Sequence, residues 1–297
     1  MKKRSNSVVL LLLLLLLGST TQLLAEGRTL EEVPMPEVRR IVSLGPINTE
    51  NVYLLGAEDR LVANTSYCVR PEAAREKEKI GSVMQVSLEK IISLRPDLVL
   101  ATGLTQQQQL DKMRALGLRV VQFEQPSSFA SICSQFLRLG RLLGLEERAR
   151  EIVARARARV KQVQDHYAVA PCQKVFLQIG SQPMFSSVVG SFTNDYISYS
   201  GALNIAGTRS NGAMNYERVL AADPDVIIIA IMGSEAGVAA RERQKWLRFN
   251  GMKAVDRQRI HVIDPDLVCS PSPVSFAEAF ARIAALIHPQ DRAGSGS

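Results

Sequence analysis

From residue 40 onward the chain alternates short apolar runs with longer segments in which apolar residues recur at helical spacing. The apolar runs at 40–44, 61–64, 99–101, 119–123, 174–179, 226–231 and 259–263 predict strands. Helices are predicted between them: one follows the Gly-Pro turn at 45–46 and runs through Leu55, another covers 106–116, and a last one covers 275–287. Residues 127–166 keep helical period throughout, with a break at Gly144. The part from 146 to 166 contains neither glycine nor proline, and as one helix would extend roughly 30 Å. Alternation of strands and helices of these lengths predicts an α/β protein built on parallel sheets.

Two stretches resemble each other. SLEKIISLRPDLVLA at 87–101 and NYERVLAADPDVIII at 215–229 each open on a helix N-cap residue, Ser87 or Asn215. Each places a glutamate in the first helical turn, Glu89 or Glu217, where the helix dipole favours negative charge. Each helix stops before a Pro-Asp pair and gives way to a strand with no polar alternation, as a strand covered on both faces requires. A duplicated unit of this kind predicts two similar Rossmann-like lobes, each with a central sheet. The glycine-free helix joins them and a ligand cleft lies between. The boundaries read as 26–144 for the first lobe, 145–168 for the connecting helix and 169–290 for the second lobe, with a disordered tail at 291–297.

The first 25 residues read differently. Lys2, Lys3 and Arg4 precede an unbroken apolar run at 8–17 and a stretch of small residues ending at Ala25, the build of a secretory signal peptide. The run is shorter than the roughly 20 residues a membrane-spanning helix needs. A periplasmic location follows as an expectation. The net charge of +7 does not predict a nucleic-acid partner, because the basic residues at 148–161 are interleaved with or preceded by Glu146, Glu147 and Glu151, as on a solvated helix face. Four cysteines, Cys68, Cys133, Cys172 and Cys269, show neither CxxC nor zinc spacing, although an oxidising compartment permits disulfides.

The order of short motifs carries a resemblance. RIVSLGP at 40–46, LGAEDRLV at 55–62, Ile80-Gly81, the LEKI and PDLV strings at 88–91 and 96–99, ALGLRVV at 115–121, LGRLLG at 139–144, GALNIAG at 201–207 and LIHP at 286–289 span the chain after residue 40. In this order they resemble the helical-backbone class of ABC-importer binding proteins, which serve ferric siderophores, haem, cobalamin and divalent metals. The resemblance implies an interlobe cleft, a monomer that delivers a small metal chelate to an ABC permease and its ATPase, no intrinsic cofactor and no catalysis. It further implies that Glu89 and Glu217 contact arginines of the transporter.

Cleft-lining loops lie at the carboxyl ends of the strands in such folds. Here they are 45–48, 66–69, 82–85, 102–104, 181–185, 210–214, 232–234 and 266–273. Candidate ligand contacts in them are Tyr67, Cys68, Met84, Met184, Phe185, Met214, Met232 and Cys269. Sulfur is a soft donor suited to haem iron or a corrinoid surface, and methionine is also an adaptable apolar lining. The resemblance puts Met84 at the place of an axial methionine in a haem-binding branch, and Met232 near that branch's second axial ligand, a histidine that this chain lacks. The corrin-stacking tryptophans of the cobalamin branch are replaced by Val83 and Asn211, leaving Tyr67, Phe185, Phe192 and Tyr196 for stacking. Arg70 and Arg209 are the cleft arginines a siderophore would use, and His166, His261 and His288 do not cluster as a bare-metal site would require. Haem or a related tetrapyrrole ranks first, a corrinoid second, a siderophore third and a bare metal last. Cys68 and Cys269 are placed to face each other across the cleft, where a disulfide would lock the lobes. A hydrolase would need a nucleophile elbow such as GxSxG, which is absent. A glycosidase would need paired carboxylates facing the cleft, and the predicted cleft loops carry few beyond Glu235 and Asp266. A tetrapyrrole chelatase would want a cleft histidine.

Overall fold

A computed structural model of the protein describes residues 37–207, 211–232 and 237–289. The segments expected to be a signal peptide (1–25) and a tail (291–297), together with Arg209 and Glu235, lie outside them. The first lobe runs β1 (Ile41–Ser43), α1 (Pro46–Leu54), β2 (Leu61–Asn64), β3 (Glu78–Lys79), α2 (Leu88–Ser93), β4 (Leu98–Thr102), α3 (Gln107–Ala115) and β5 (Val120–Phe123). Its sheet has the order β3-β2-β1-β4-β5, with every pair parallel. Alternate residues of a strand point to opposite faces. Val42, Val99 and Ala101 therefore pack with Ile91, Leu110 and Met113 of α2 and α3 on one side. Ile41, Leu98 and Leu100 pack with Val52 of α1 on the other.

Two helices follow, α4 (Phe129–Leu142) and α5 (Glu146–Tyr167). Gly144, at φ +70°, makes the left-handed turn between them that an L side chain would resist. Along α5 the buried residues Ala149, Ile152, Val153, Ala156, Val160 and Val163 recur at helical spacing and form one apolar stripe. Its 22 residues span about 33 Å.

The second lobe contains β6 (Lys174–Ser181), β7 (Met184–Ser186), α6 (Phe192–Ser198), β8 (Leu203–Asn204), α7 (Tyr216–Ala222), β9 (Val226–Ile229), α8 (Val238–Trp246), α9 (Lys253–Asp256), β10 (Ile260–Val262), α10 (Pro265–Cys269) and α11 (Pro273–Ile287). Strands β10, β9, β6 and β8 pair in parallel, as β5, β4, β1 and β2 do in the first lobe. Strand β7 departs from that scheme. It folds back antiparallel on the carboxyl half of β6. Strands β3 and β8 have two residues each, too few to register as a period, and β7 follows β6 within a tight turn; sequence pattern predicts none of the three.

The repeated Pro-Asp pair has a structural purpose. The Asp97 carboxylate accepts the backbone N–H groups of Arg39 and Arg40, both at 2.8 Å, at the start of β1. The Asp225 carboxylate accepts the N–H of Lys174 at 2.9 Å, at the start of β6. In both lobes the aspartate entering the second strand of the unit thus fixes the beginning of its parallel neighbour.

One apolar core joins the halves. The inner faces of both sheets pack against α4, α5 and α11, with Phe136, Ile152, Val226, Phe276 and Phe280 in a single cluster. The long helix and α11 are therefore a shared spine against which both lobes pack.

Candidate ligand cleft

At the carboxyl ends of the strands the lobes leave a crevice of about 270 Å³. Pro46 and Ile47 of α1, Tyr67, Ser82, Val83, Met84, Thr102, Leu104 and Gln125 line it from the first lobe, and Met232, Cys269 and Ser270 from the second. None of these side chains carries a charge. The volume lies just below the range of about 300–1,000 Å³ usual for small-molecule sites.

Local structure explains the wall. Gly45 caps α1 in an extended conformation and brings Pro46 against the end of β4. A Cβ at Gly45 would stand 2.4 Å from Thr102 Cγ2, so this approach requires glycine. The Thr102 hydroxyl accepts the Leu104 N–H at 3.2 Å and turns that loop over the crevice. The Ser82 N–H donates to the Gln85 carbonyl at 2.9 Å and the Gln85 N–H to Ser82 Oγ at 3.0 Å. This tight turn presents Val83 and Met84 at its tip. Met84 is 53% exposed and Tyr67 56%, and together at the crevice they present apolar surface to it.

Of the eight ligand contacts expected from sequence, the structure brings Tyr67, Met84, Met232 and Cys269 together. The other four lie elsewhere. Cys68 is fully buried, its sulfur bonded at 3.2 Å to the hydroxyls of Thr49 and Thr65, and it anchors the loop beneath Tyr67 instead of facing the crevice. Met184 and Met214 belong to the core of the second lobe, and Phe185 stands half-exposed on β7 outside the lining. The cause is the fold-back of β7, which turns Met184 inward and bonds its carbonyl to the Met214 N–H at 3.0 Å. Gln125 was missed, although the loop after β5 obeys the same strand-end rule that identified its neighbours.

The proposed Cys68–Cys269 disulfide does not form: all four cysteines are free thiols. Burial, with Asp266 and Asp264 nearby, pushes the Cys269 thiol up to about 12, so at neutral pH it is a neutral thiol, not a thiolate. Met232 Sδ accepts a weak contact from Ser270 Oγ at 4.0 Å. Arg70 is not free to take an anion, because its guanidinium bonds Glu50 at 2.7 Å and the Ser270 carbonyl at 2.9 Å. Tyr196 is buried with its hydroxyl on the Val268 carbonyl, Phe192 packs against the shared core, and Trp246 is fully buried in the second lobe. Among the described residues no group of three or more His, Cys, Asp or Glu is placed to hold a metal. His166 and His288 flank Tyr167 and His261 lies in β10, and none of the three lines the crevice.

Glu89 and Glu217 occupy matching sites. Each is exposed in the first turn of its helix, behind an N-cap side chain that accepts the N–H of Lys90 or Arg218. Neither is in an ion pair with a described residue.

A family model described as periplasmic binding protein matches residues 41–267. The chain belongs to the periplasmic binding protein family. The vitamin B12-binding protein of Yersinia pseudotuberculosis is 32% identical over 205 residues, covering 68% of this chain and 73% of that protein. Two solved structures share the two-lobed fold. The periplasmic vitamin B12 binding protein of Vibrio cholerae has a TM-score of 0.71 and 25% identity over 85% of this chain and 99% of its own. A periplasmic heme binding protein from Pseudomonas aeruginosa has a TM-score of 0.71 and 25% identity over 85% of this chain and 93% of its own. Members of this family are binding proteins that hand ligands to ABC permeases, and among the described residues no helix is long and apolar enough to cross a membrane.

Proposed function

We propose that the protein is a periplasmic receptor that captures a corrinoid and passes it, chemically unchanged, to an ABC permease. The observation that carries the choice of ligand is that the described residues lining the crevice are uncharged. A corrinoid presents neutral amides around its ring edge, which Ser82, Gln125 and Ser270 are suited to meet. Haem presents two carboxylates, and Arg70, the described one of the two arginines expected from sequence for a siderophore, is already bound to Glu50 and so offers them no free cation. Exposed Tyr67 and Met84 offer flat and adaptable apolar surface to the ring face. The similarity to vitamin B12-binding proteins supports the same reading. A cleavable leader at 1–25 would release the chain into the periplasm, and Glu89 and Glu217 would orient it on the permease.

Haem, ranked first from the sequence, becomes the second reading, kept for one specific reason: two thioethers, Met84 and Met232, line the same crevice from opposite lobes. Calorimetric titration of chain 26–297 with cyanocobalamin and with haemin separates the two. The proposal expects one cyanocobalamin per chain, and an affinity reduced by about 1–2 kcal/mol, or roughly 5- to 30-fold, in Met84→Ala, whose half-exposed side chain the ligand would cover. Haemin binding with a shifted Soret band that Met84→Ala abolishes, and no uptake of cyanocobalamin, would replace the corrinoid by haem.

A further inference from the structure

The strongest polar link between the lobes at the cleft is a cluster of four residues. Glu50 lies in α1 of the first lobe, and Arg70 lies in the loop after β2. Their ion pair closes at 2.7 Å, with the two side chains only 13% and 27% exposed. Both partners also reach into the second lobe. Arg70 Nη2 donates to the Ser270 carbonyl at 2.9 Å, and Ser272 Oγ donates to Glu50 Oε1 at 2.6 Å. Ser272 in turn caps α11, accepting the Ser275 N–H at 3.0 Å. The Glu50 carboxylate therefore also faces the positive end of a 15-residue helix.

Position gives the cluster its meaning. Ser270 lines the ligand crevice, whereas Glu50 and Arg70 line a second cavity of about 430 Å³ together with Leu267 and Val274. The pair thus lines the second cavity and, through the bond from Arg70 to the Ser270 carbonyl, ties the crevice's second-lobe wall to the first lobe. A guanidinium that satisfies a carboxylate and a carbonyl at once holds both in a fixed geometry, which a single point charge does less well. At about 270 Å³ the crevice lies below the volume usual for small-molecule sites, so a large ligand would enter or leave by displacing the wall that carries Cys269 and Ser270 from α1.

We propose that Glu50 and Arg70 form an interlobe clasp that sets the width of the ligand cleft and limits ligand exchange. They are positioning residues, since neither lines the crevice itself.

The test measures lobe separation directly. Spin labels at Lys112→Cys and Arg248→Cys, both exposed and one in each lobe, are placed in a Cys172→Ser, Cys269→Ser background; Cys68 and Cys133 are fully buried and escape labelling. Pulsed dipolar distance distributions are then compared for Arg70→Met, Arg70→Lys and Ser272→Ala, with circular dichroism melts to verify folding. The clasp predicts a longer or broader distribution in Arg70→Met and an intermediate one in Arg70→Lys. Ser272→Ala widens the distribution without removing either charge, and it decides the matter if Arg70→Met does not fold. Superimposable distributions in the folded variants would overturn the clasp. A second arm rests on the corrinoid reading: in chains with Cys269 intact, cyanocobalamin release is expected to be about tenfold faster or more in Arg70→Met. A parent protein that takes up no cyanocobalamin would refute the corrinoid reading, while the distance arm still decides the clasp.

Discussion

The close approach of Gly45 to Thr102 permits a quantitative test of how the cleft wall is built. A Cβ on residue 45 would lie 2.4 Å from Thr102 Cγ2, against a normal carbon–carbon separation of about 3.5–4.0 Å. Gly45 sits at φ −169° and ψ 161°, an extended conformation open to alanine, so the cost of Gly45→Ala is steric and not a matter of backbone strain. Overpacking of this size costs about 1–3 kcal/mol, and the loss of glycine's freedom in the unfolded chain returns about 0.4–1 kcal/mol. A net loss of about 1–2 kcal/mol is expected in urea unfolding, together with weaker ligand binding because α1 moves off β4. Thr102→Ser removes Cγ2 and leaves the next contacts at 3.7 and 3.9 Å, ordinary van der Waals distances, while keeping the hydroxyl that holds Leu104. The double variant should therefore match Thr102→Ser alone to within about 0.5 kcal/mol. Parent-like stability of Gly45→Ala, or a double variant as unstable as the single, would refute the steric account.

Glu89→Arg combined with Glu217→Arg should abolish ligand uptake by whole cells and leave solution affinity unchanged, because both glutamates are exposed and outside the crevice; normal uptake would rule out docking through them. Burial would raise the Glu242 carboxyl, but hydrogen bonds from Lys245, Gln178 and Tyr216 outweigh it and hold that group below its ordinary value. A depressed carboxyl stabilises the fold above its unfolded value and loses that contribution as pH falls through the folded one. Glu242→Gln should thus flatten the loss of stability below about pH 4.5 and lower stability at neutral pH by about 2 kcal/mol, and unchanged acid unfolding would contradict this. A thiol assay on the denatured, unreduced protein should find four free thiols, whereas two would restore a disulfide.

The architecture was legible because its signals are long and redundant. The two Pro-Asp units combine period, cap and stop, the stretch that forms α5 keeps helical period over 22 residues without glycine or proline, and none of these signals depends on a distant contact. The first-lobe cleft was legible for a related reason: every strand there is parallel, so each carboxyl end points to the same rim. The second lobe broke that rule at one place. Strand β7 turns back after two intervening residues, an event decided by pairing with β6 and invisible to periodicity, and it carried Met184, Phe185 and Met214 away from the crevice. The environment of Cys68 was equally hidden, since Thr49 reaches it from 19 residues away. Arg70 looked like an anion receptor because its partners, Glu50 and Ser270, lie 20 and 200 residues from it.

The proposed ligand, a metal chelate, would sit in the crevice between the lobes, whose described lining residues are uncharged. The most direct measurement is the absorption spectrum and metal content of the protein purified from the cells that make it, without added ligand. A corrinoid spectrum with cobalt close to one atom per chain is the predicted result. A protein that carries neither corrinoid nor haem, and that binds neither after unfolding and refolding with each, would contradict the central claim.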